Sequence, residues 1–441
     1  MSAPPVLVVE HAADTPAADC AIAGALAGPL AAGVDTTVTL LRLRDTDAAF
    51  SQAGAAEHVL AAGRLADNAL FWIERAMGPR VRHVEAAGLP ETGSEPLVVA
   101  YNPMLAPRDA AADLNRRVDQ AGPQGLWLRA AEDGDRVAVS LVQDGTAGPC
   151  VARGERDRYG RWTLRDAGLA ALWAERFGLP APPAPTVSPG RDAEPAAKLV
   201  VVGETAHLRD VFPAVLAALG DAADETGTVA AIDVVSPRGL DRAAWQARLK
   251  SADGLVLPGG SDLDQVAGQV QAASLAMASG LPTLGLCLGM QTMSVAAART
   301  PVAGLPDANL EEVDPDGPCH LFRRLTNERG EPRHRLGAAE VCPVPGTRLA
   351  AYCGAATRLE RLNHRYALAE TLVPALESAG LRVCARSADS VIVDGVEMSE
   401  HPFFVGLQCH PELSSRPAAP HPLVRGFLHA AVAHRRGAVA A

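Results

Sequence analysis

Apolar residues run through this chain in short uninterrupted stretches separated by polar or helix-spaced segments. Five stretches in the first half, Val6 to Glu10, Thr37 to Leu43, Leu97 to Tyr101, Leu126 to Ala130 and Val137 to Val142, predict β-strands. Alanine-rich segments with helical spacing, Ala17 to Ala32 and Ala55 to Met77, lie between several of them. That alternation predicts an α/β layered domain. In the second half, Leu255 to Gly260 (LVLPGG) reads as a strand and a turn, while Pro282 to Leu286 and Phe403 to Gln408 read as strands that end on reactive residues. Leu423 to Arg436 carries apolar residues at helical spacing and basic residues near its end, the pattern of a docking helix with a favourable dipole. Between the halves, Phe177 to Ala197 is proline-rich with no apolar periodicity, which predicts a semi-extended linker. The expected division is an N-terminal α/β domain over 1–178, a linker over 179–197 and a second α/β domain over 198–441.

Composition narrows the class. A chain of 441 residues with 48% hydrophobic content and no apolar run near membrane-spanning length predicts two soluble domains, not a membrane protein. A net charge of -11 argues against nucleic acid as the main partner. The start, MSAPPVLVVEHAAD, lacks a basic stretch followed by a long apolar core, so a cytoplasmic protein without a secretory signal is expected. Eight cysteines without a CxxC pair read as reduced thiols, and no spacing suits a metal site.

The sharpest local signal is PTLGLCLGMQ, Pro282 to Gln291. An apolar run ends in Gly-x-Cys-x-Gly and a helical pattern begins at once, as in a nucleophile elbow, where a tight strand-to-helix turn leaves the central side chain exposed. Gly285 and Gly289 give the backbone room, and Cys287 sits at the bend, near the positive end of the following helix. Far downstream, Phe403 to Glu412 (FFVGLQCHPE) brings a second strand to His410, with Glu412 placed to accept from the imidazole as the third member of a triad does. Read alone, the cysteine is a core residue and the histidine a satisfied polar one. Cys409 is a rival nucleophile that strand alternation turns to the opposite face.

From about Lys198 to Arg436 the chain resembles the class I glutamine amidotransferases, and within them the glutaminase domain of CTP synthase. Besides the elbow and the His-Pro-Glu run, the matching segments are ANLEEV (Ala308 to Val313), RLGAAE (Arg335 to Glu340), ERLNHRYAL (Glu360 to Leu368), AGLRVCARS (Ala379 to Ser387) and HPLVRGF (His421 to Phe427), in the family's order. The resemblance implies a mostly parallel sheet flanked by helices and a thiol glutaminase with Cys287, His410 and Glu412 as the triad. It also implies oxyanion donors at the Leu288 and Gly260 backbone, and Gln291, Glu312 and Arg365 around the glutamine, the carboxylate meeting the ammonium and the arginine the carboxylate. Without the resemblance, Glu312 and Arg365 read as exposed helix or loop charges.

Two departures from the family pattern stand out. At the oxyanion loop a Gly-Gly-Phe-Gly run is replaced by Gly259, Gly260, Ser261, Asp262, Leu263 and Asp264, which looks more like the loop of γ-glutamyl peptide hydrolases. The His-Arg-His-Arg-Tyr run becomes Leu362, Asn363, His364, Arg365 and Tyr366. The first half has no phosphate-cradling glycine loop and no lysine from Met1 to Ala197, so ATP and Mg are not expected to bind there through a Walker A loop, and CTP synthesis by this chain alone is not expected. Glu10, His11, Asn102 and Asp144 are its candidate ligand residues, since they follow strands in an α/β domain. That half reads either as a degenerate synthetase domain or as an unrelated acceptor domain.

The expected activity is therefore hydrolysis of L-glutamine, without a cofactor for the glutaminase domain, supplying ammonia to the N-terminal domain or to a partner enzyme. A γ-glutamyl amide hydrolase and a glutamine-sensing or partner-tethering protein are the alternatives. A homo-oligomer stays open.

Overall fold

The computed structural model describes residues 4–45, 58–60, 63–78, 81–90, 94–165, 167–179 and 194–440. Two compact units result: one from Met1–His58, Ala66–Val187 and Arg209–Pro213, the other from Val59–Leu65, Ser188–Leu208 and Ala214–Ala441. Residues 180–193 of the expected linker lie outside the described residues.

The first unit is built on an eight-stranded sheet. In chain order its strands are β1 (Val6–His11), β2 (Val38–Leu43), β3 (Val81–Ala86), β4 (Leu97–Tyr101), β5 (Gly125–Asp133), β6 (Arg136–Gln143), β7 (Thr146–Arg156) and β8 (Trp162–Arg165). Their spatial order is β8-β7-β6-β5-β1-β4-β2-β3. β1 to β5 pair in parallel, and β5 to β8 form an antiparallel meander. Val6, Val8, Leu41, Leu43, Leu97 and Val99 pack with Ala110 and Leu114 of the helix Ala110–Ala121. Parallel strands covered on both faces have no solvent side, which is why their sequences are apolar runs without alternation.

The expected helix over Ala55 to Met77 is corrected. His58–Val59 and Leu65–Ala66 form a two-stranded ribbon, and the helix is confined to Leu70–Met77. Alanine content alone overestimated helix there, because propensity is a weak prior and Gly63 takes φ 81 in the connecting turn. β3, β7 and β8 were not anticipated, since their charged and small residues hide the apolar period.

The second unit holds a nine-stranded sheet. Its strands are β9 (Ala197–Val202), β10 (Ala230–Val235), β11 (Gly254–Leu257), β12 (Thr283–Leu286), β15 (Arg335–Pro343), β16 (Arg358–His364), β18 (Leu381–Ser387), β19 (Val393–Met398) and β20 (Phe404–Leu407). A separate three-stranded sheet is made by β13 (Ala308–Leu310), β14 (Cys319–Arg324) and β17 (Tyr366–Leu368). The large sheet runs β10-β9-β11-β12-β20-β19-β18-β15-β16, parallel through β20 and antiparallel beyond. The adjacency of β12 and β20 matters most: it puts the ends of two strands distant in sequence side by side, with Leu286 in register with Leu407. The C-terminal helix, Pro422–Ala440, buries Leu423, Val424, Phe427 and Leu428, as its apolar spacing predicted.

Among the described residues no helix is long and apolar enough to cross a membrane, and no group of three or more His, Cys, Asp or Glu could hold a metal ion.

Candidate functional site

Cys287 is the turn between β12 and the helix Leu288–Ala298, with φ 50 and ψ -105. A non-glycine residue at positive φ is strained, and such strain persists only where the surroundings hold it. Here the hold is close packing. A Cβ on Gly289 would lie 1.9 Å from the Leu257 carbonyl oxygen, and one on Gly285 would lie 2.3 Å from Met293 Sδ. The glycines flanking the cysteine are therefore required by the approach of the helix to the sheet.

Three chain segments converge on the sulfur. The backbone N–H of Cys287 donates to the Leu407 carbonyl at 2.7 Å, locking the elbow to the end of β20. Three residues further on is His410, which bonds the Cys287 side chain and whose Nδ1 pairs with Glu412 Oε1 at 2.8 Å. The third segment is the turn after β11: a Cβ built on Gly259 would stand 3.2 Å from both Cys287 Cβ and His410 Cε1. Only glycine leaves that space open.

Electrostatics suit proton transfer. Burial by itself would lower the His410 pKa, but the charges of Glu412 and Cys287 and the hydrogen bonds to both raise it well above the usual imidazole range. His410 thus stands between the Glu412 carboxylate and the Cys287 sulfur, an environment that favours its cationic form. The neighbouring Cys409 is wholly buried, and its thiol is pushed well above the ordinary range by burial first and then by Glu360, Asp394 and Glu412. That environment disfavours a thiolate at Cys409.

Of the other expected site residues, Leu288 opens its helix, so its N–H has no carbonyl four residues back in that helix to donate to. Gly260 is exposed, next to Gly259. Gln291 is buried, and its Nε2 donates to Gln408 Oε1 at 3.3 Å. Glu312 lies in the turn after β13 and Arg365 between β16 and β17, both exposed. Their charges act on each other: burial raises the Glu312 carboxyl, and Arg365 with Arg324 opposes that rise. Arg365 follows by two residues Asn363, whose carbonyl lies 3.8 Å from Cys287 Sγ.

Two contacts were not foreseen. Gln408 Nε2 donates to Cys287 Sγ at 3.5 Å, and the Asn363 carbonyl faces the same sulfur. For Gln408 the signal was available: two residues before His410 on an extended segment, it shares the histidine's face. No comparable signal marks Asn363, because its contribution is a backbone oxygen.

In the first unit, Glu10 pairs with Arg129 and accepts from Trp127 Nε1, and His11 Nε2 stands 2.9 Å from Glu132. Asn102 Nδ2 donates to Asp19 Oδ1 and to the Ala13 carbonyl. Asp144 takes φ 49 in the turn joining the antiparallel strands β6 and β7, next to Gly145, whose carbonyl accepts at 3.2 Å from Nη2 of the same Arg129 that pairs with Glu10.

Comparison with known proteins finds relatives for the second part of the chain. The model described as glutamine amidotransferase class-I matches residues 212–430. The CTP synthase of Rubrobacter xylanophilus is 37% identical over 278 residues, covering 61% of this chain and 50% of that protein. That of Chloroflexus aggregans is 34% identical over 278 residues, covering 61% of this chain and 51% of its own. Among solved structures, the glutaminase domain of Trypanosoma brucei CTPS with bound acivicin matches with a TM-score of 0.50 and 30% identity, over 54% of this chain and 94% of that one. The chain spans about half the length of the curated relatives it matches. Residues 212–430 are thus a class-I glutamine amidotransferase domain, related to the glutaminase domain of CTP synthase.

Proposed function

We propose that this chain hydrolyses L-glutamine through Cys287, His410 and Glu412 and passes the ammonia to an amination on its N-terminal domain or on a partner enzyme. The observation that carries the reading is the placement of His410 between Glu412 and the strained elbow cysteine. The Cys287 thiolate attacks the side-chain amide carbon of glutamine. Charge collects on the amide oxygen, where the N–H groups of Leu288 and Gly260 receive it; one such donor lowers the barrier by about 3 kcal/mol. His410 then gives its proton to the departing nitrogen, ammonia leaves, and a γ-glutamyl thioester remains. Water attacks the thioester as His410 takes a proton back, which releases glutamate and restores the thiolate. Glu412 keeps the imidazole oriented and stabilises its cationic form throughout. Glu312, Arg365 and Gln291 surround the glutamine, the first two receiving its ammonium and carboxylate.

A second reading is favoured by one feature, the loop Gly259 to Asp264. Without an aromatic wall, with Ser261 exposed and Asp262 paired to Arg238, it leaves room for a substituent on the amide nitrogen. Under it the protein cleaves γ-glutamyl amines larger than glutamine.

Ammonia and glutamate release by the full-length chain, compared with Cys287→Ala and with γ-glutamyl amines as rival substrates, tests both. Release from glutamine that is lost in Cys287→Ala is the expected result. Turnover of γ-glutamyl amines with none of glutamine moves the protein to the second reading, and activity retained in Cys287→Ala removes the thiol mechanism.

A further inference from the structure

In the triad the thiolate that attacks glutamine has a single partner, His410. A second donor that never titrates would hold that charge in place before the attack. Gln408 is wholly buried at the end of β20, with Nε2 at 3.5 Å from Cys287 Sγ. Its orientation is fixed from three sides. Its Oε1 accepts from Gln291 Nε2 at 3.3 Å, its backbone N–H donates to the Asp394 carbonyl at 2.9 Å, and Asp394 is clamped by both terminal nitrogens of the buried Arg335. With the amide oxygen taken by Gln291, the N–H₂ end is the one presented to sulfur, where it can only donate.

We propose that Gln408 is a positioning residue of the glutaminase site: its amide holds and stabilises the Cys287 thiolate, and Gln291 braces that amide as well as lining the pocket. The inference rests on the glutaminase reading for its role in turnover, but the contact itself can be tested without glutamine. A hydrogen bond to a charged group contributes about 1.5 kcal/mol or more, which corresponds to roughly tenfold in the thiolate population. Methionine matches glutamine in length and flexibility while lacking any donor, so Gln408→Met isolates the hydrogen bond.

The experiment is alkylation of Cys287 by iodoacetamide in the full-length chain, followed by mass spectrometry of the peptide that carries it, from pH 6.5 to 9.5. Expected for Gln408→Met is a rate about tenfold below the native protein at pH 6.5, with the gap closing at pH 9.5, where ionisation no longer needs the donor. Gln291→Met keeps the donor and removes its brace, so it should lose less, roughly threefold at pH 6.5. Equal rates at every pH would refute the proposal. So would a loss in Gln408→Met that is the same at both ends of the range, which is the signature of a merely displaced cysteine. If Gln408→Met does not fold, the Gln291→Met profile decides by the same criterion. Normal alkylation behaviour in a chain that releases no ammonia from glutamine would sink the glutaminase reading and leave the Gln408 contact standing.

Discussion

Replacing Gly289 by alanine sets two physical arguments against each other. Gly289 is the second residue of the helix Leu288–Ala298, and inside a helix alanine is favoured over glycine by about 1 kcal/mol. Propensity alone therefore predicts stabilisation. The added methyl carbon, however, would stand 1.9 Å from the Leu257 carbonyl oxygen, 2.7 Å from its carbon and 2.9 Å from Leu257 Cβ. Two of those atoms are backbone, in a strand paired on both sides by β9 and β12, so they cannot swing aside. Restoring an ordinary contact of about 3.5 Å requires the helix start to move by about 1.5 Å. Overpacking of this kind costs about 1–3 kcal/mol, which exceeds or cancels the propensity gain. The transition of the second unit in differential scanning calorimetry should fall by roughly 2–4 °C for each kcal/mol lost. The functional cost should be larger than the thermal one, because the same displacement carries Cys287 and the Leu288 N–H with it. A misplacement of about 1 Å in reacting groups can cost about 100-fold in rate. Glutamate release should drop by that order while the protein stays folded at 25 °C. A Gly289→Ala protein as stable as the native chain and fully active would show that the elbow is not held by this close approach.

Two further outcomes follow from buried charges. Glu412→Gln keeps the shape of the His410 partner but removes the charge that raises the imidazole, so the alkaline limb of the glutaminase pH profile should move toward lower pH, with a kcat loss of roughly tenfold or more; an unmoved limb would mean that Glu412 does not set the His410 proton. Glu360 pairs with His421 at 3.0 Å and with Arg358 at 3.1 Å. Burial acts to raise its carboxyl, but the bond and charge of His421, with those of Arg358, leave it below the ordinary value. A carboxyl lowered in the folded state contributes stability above its unfolded pKa of about 4.3 and loses it as the pH falls. Glu360→Gln should therefore flatten the decline in urea resistance between about pH 5 and 3, and an unchanged slope in that range would rule the pair out as a source of acid sensitivity.

The features legible in the chain alone are local. The apolar runs marked β1, β2, β4, the start of β5 and the strands leading to Cys287 and His410, because a strand buried on both faces must be apolar throughout its length; β6, only partly buried, was marked by Val137, Val139, Leu141 and Val142. The Gly-x-Cys-x-Gly spacing marked the elbow, and the two-residue step to Glu412 placed an acceptor beside the imidazole. Tertiary structure decided whatever depends on which strands lie side by side. The pairing of β12 with β20 brings residues more than a hundred positions apart to one sulfur, and no periodicity in either strand encodes its neighbour. The necessity of Gly289 comes from a carbonyl in β11, and the donor at Gln408 acquires meaning only once Cys287 lies against it. The ribbon at His58–Val59 and Leu65–Ala66 replaced the expected helix for a local reason: the turn at Gly63 lets the two short strands pair with each other, against a helical preference that amounts to less than 1 kcal/mol per residue.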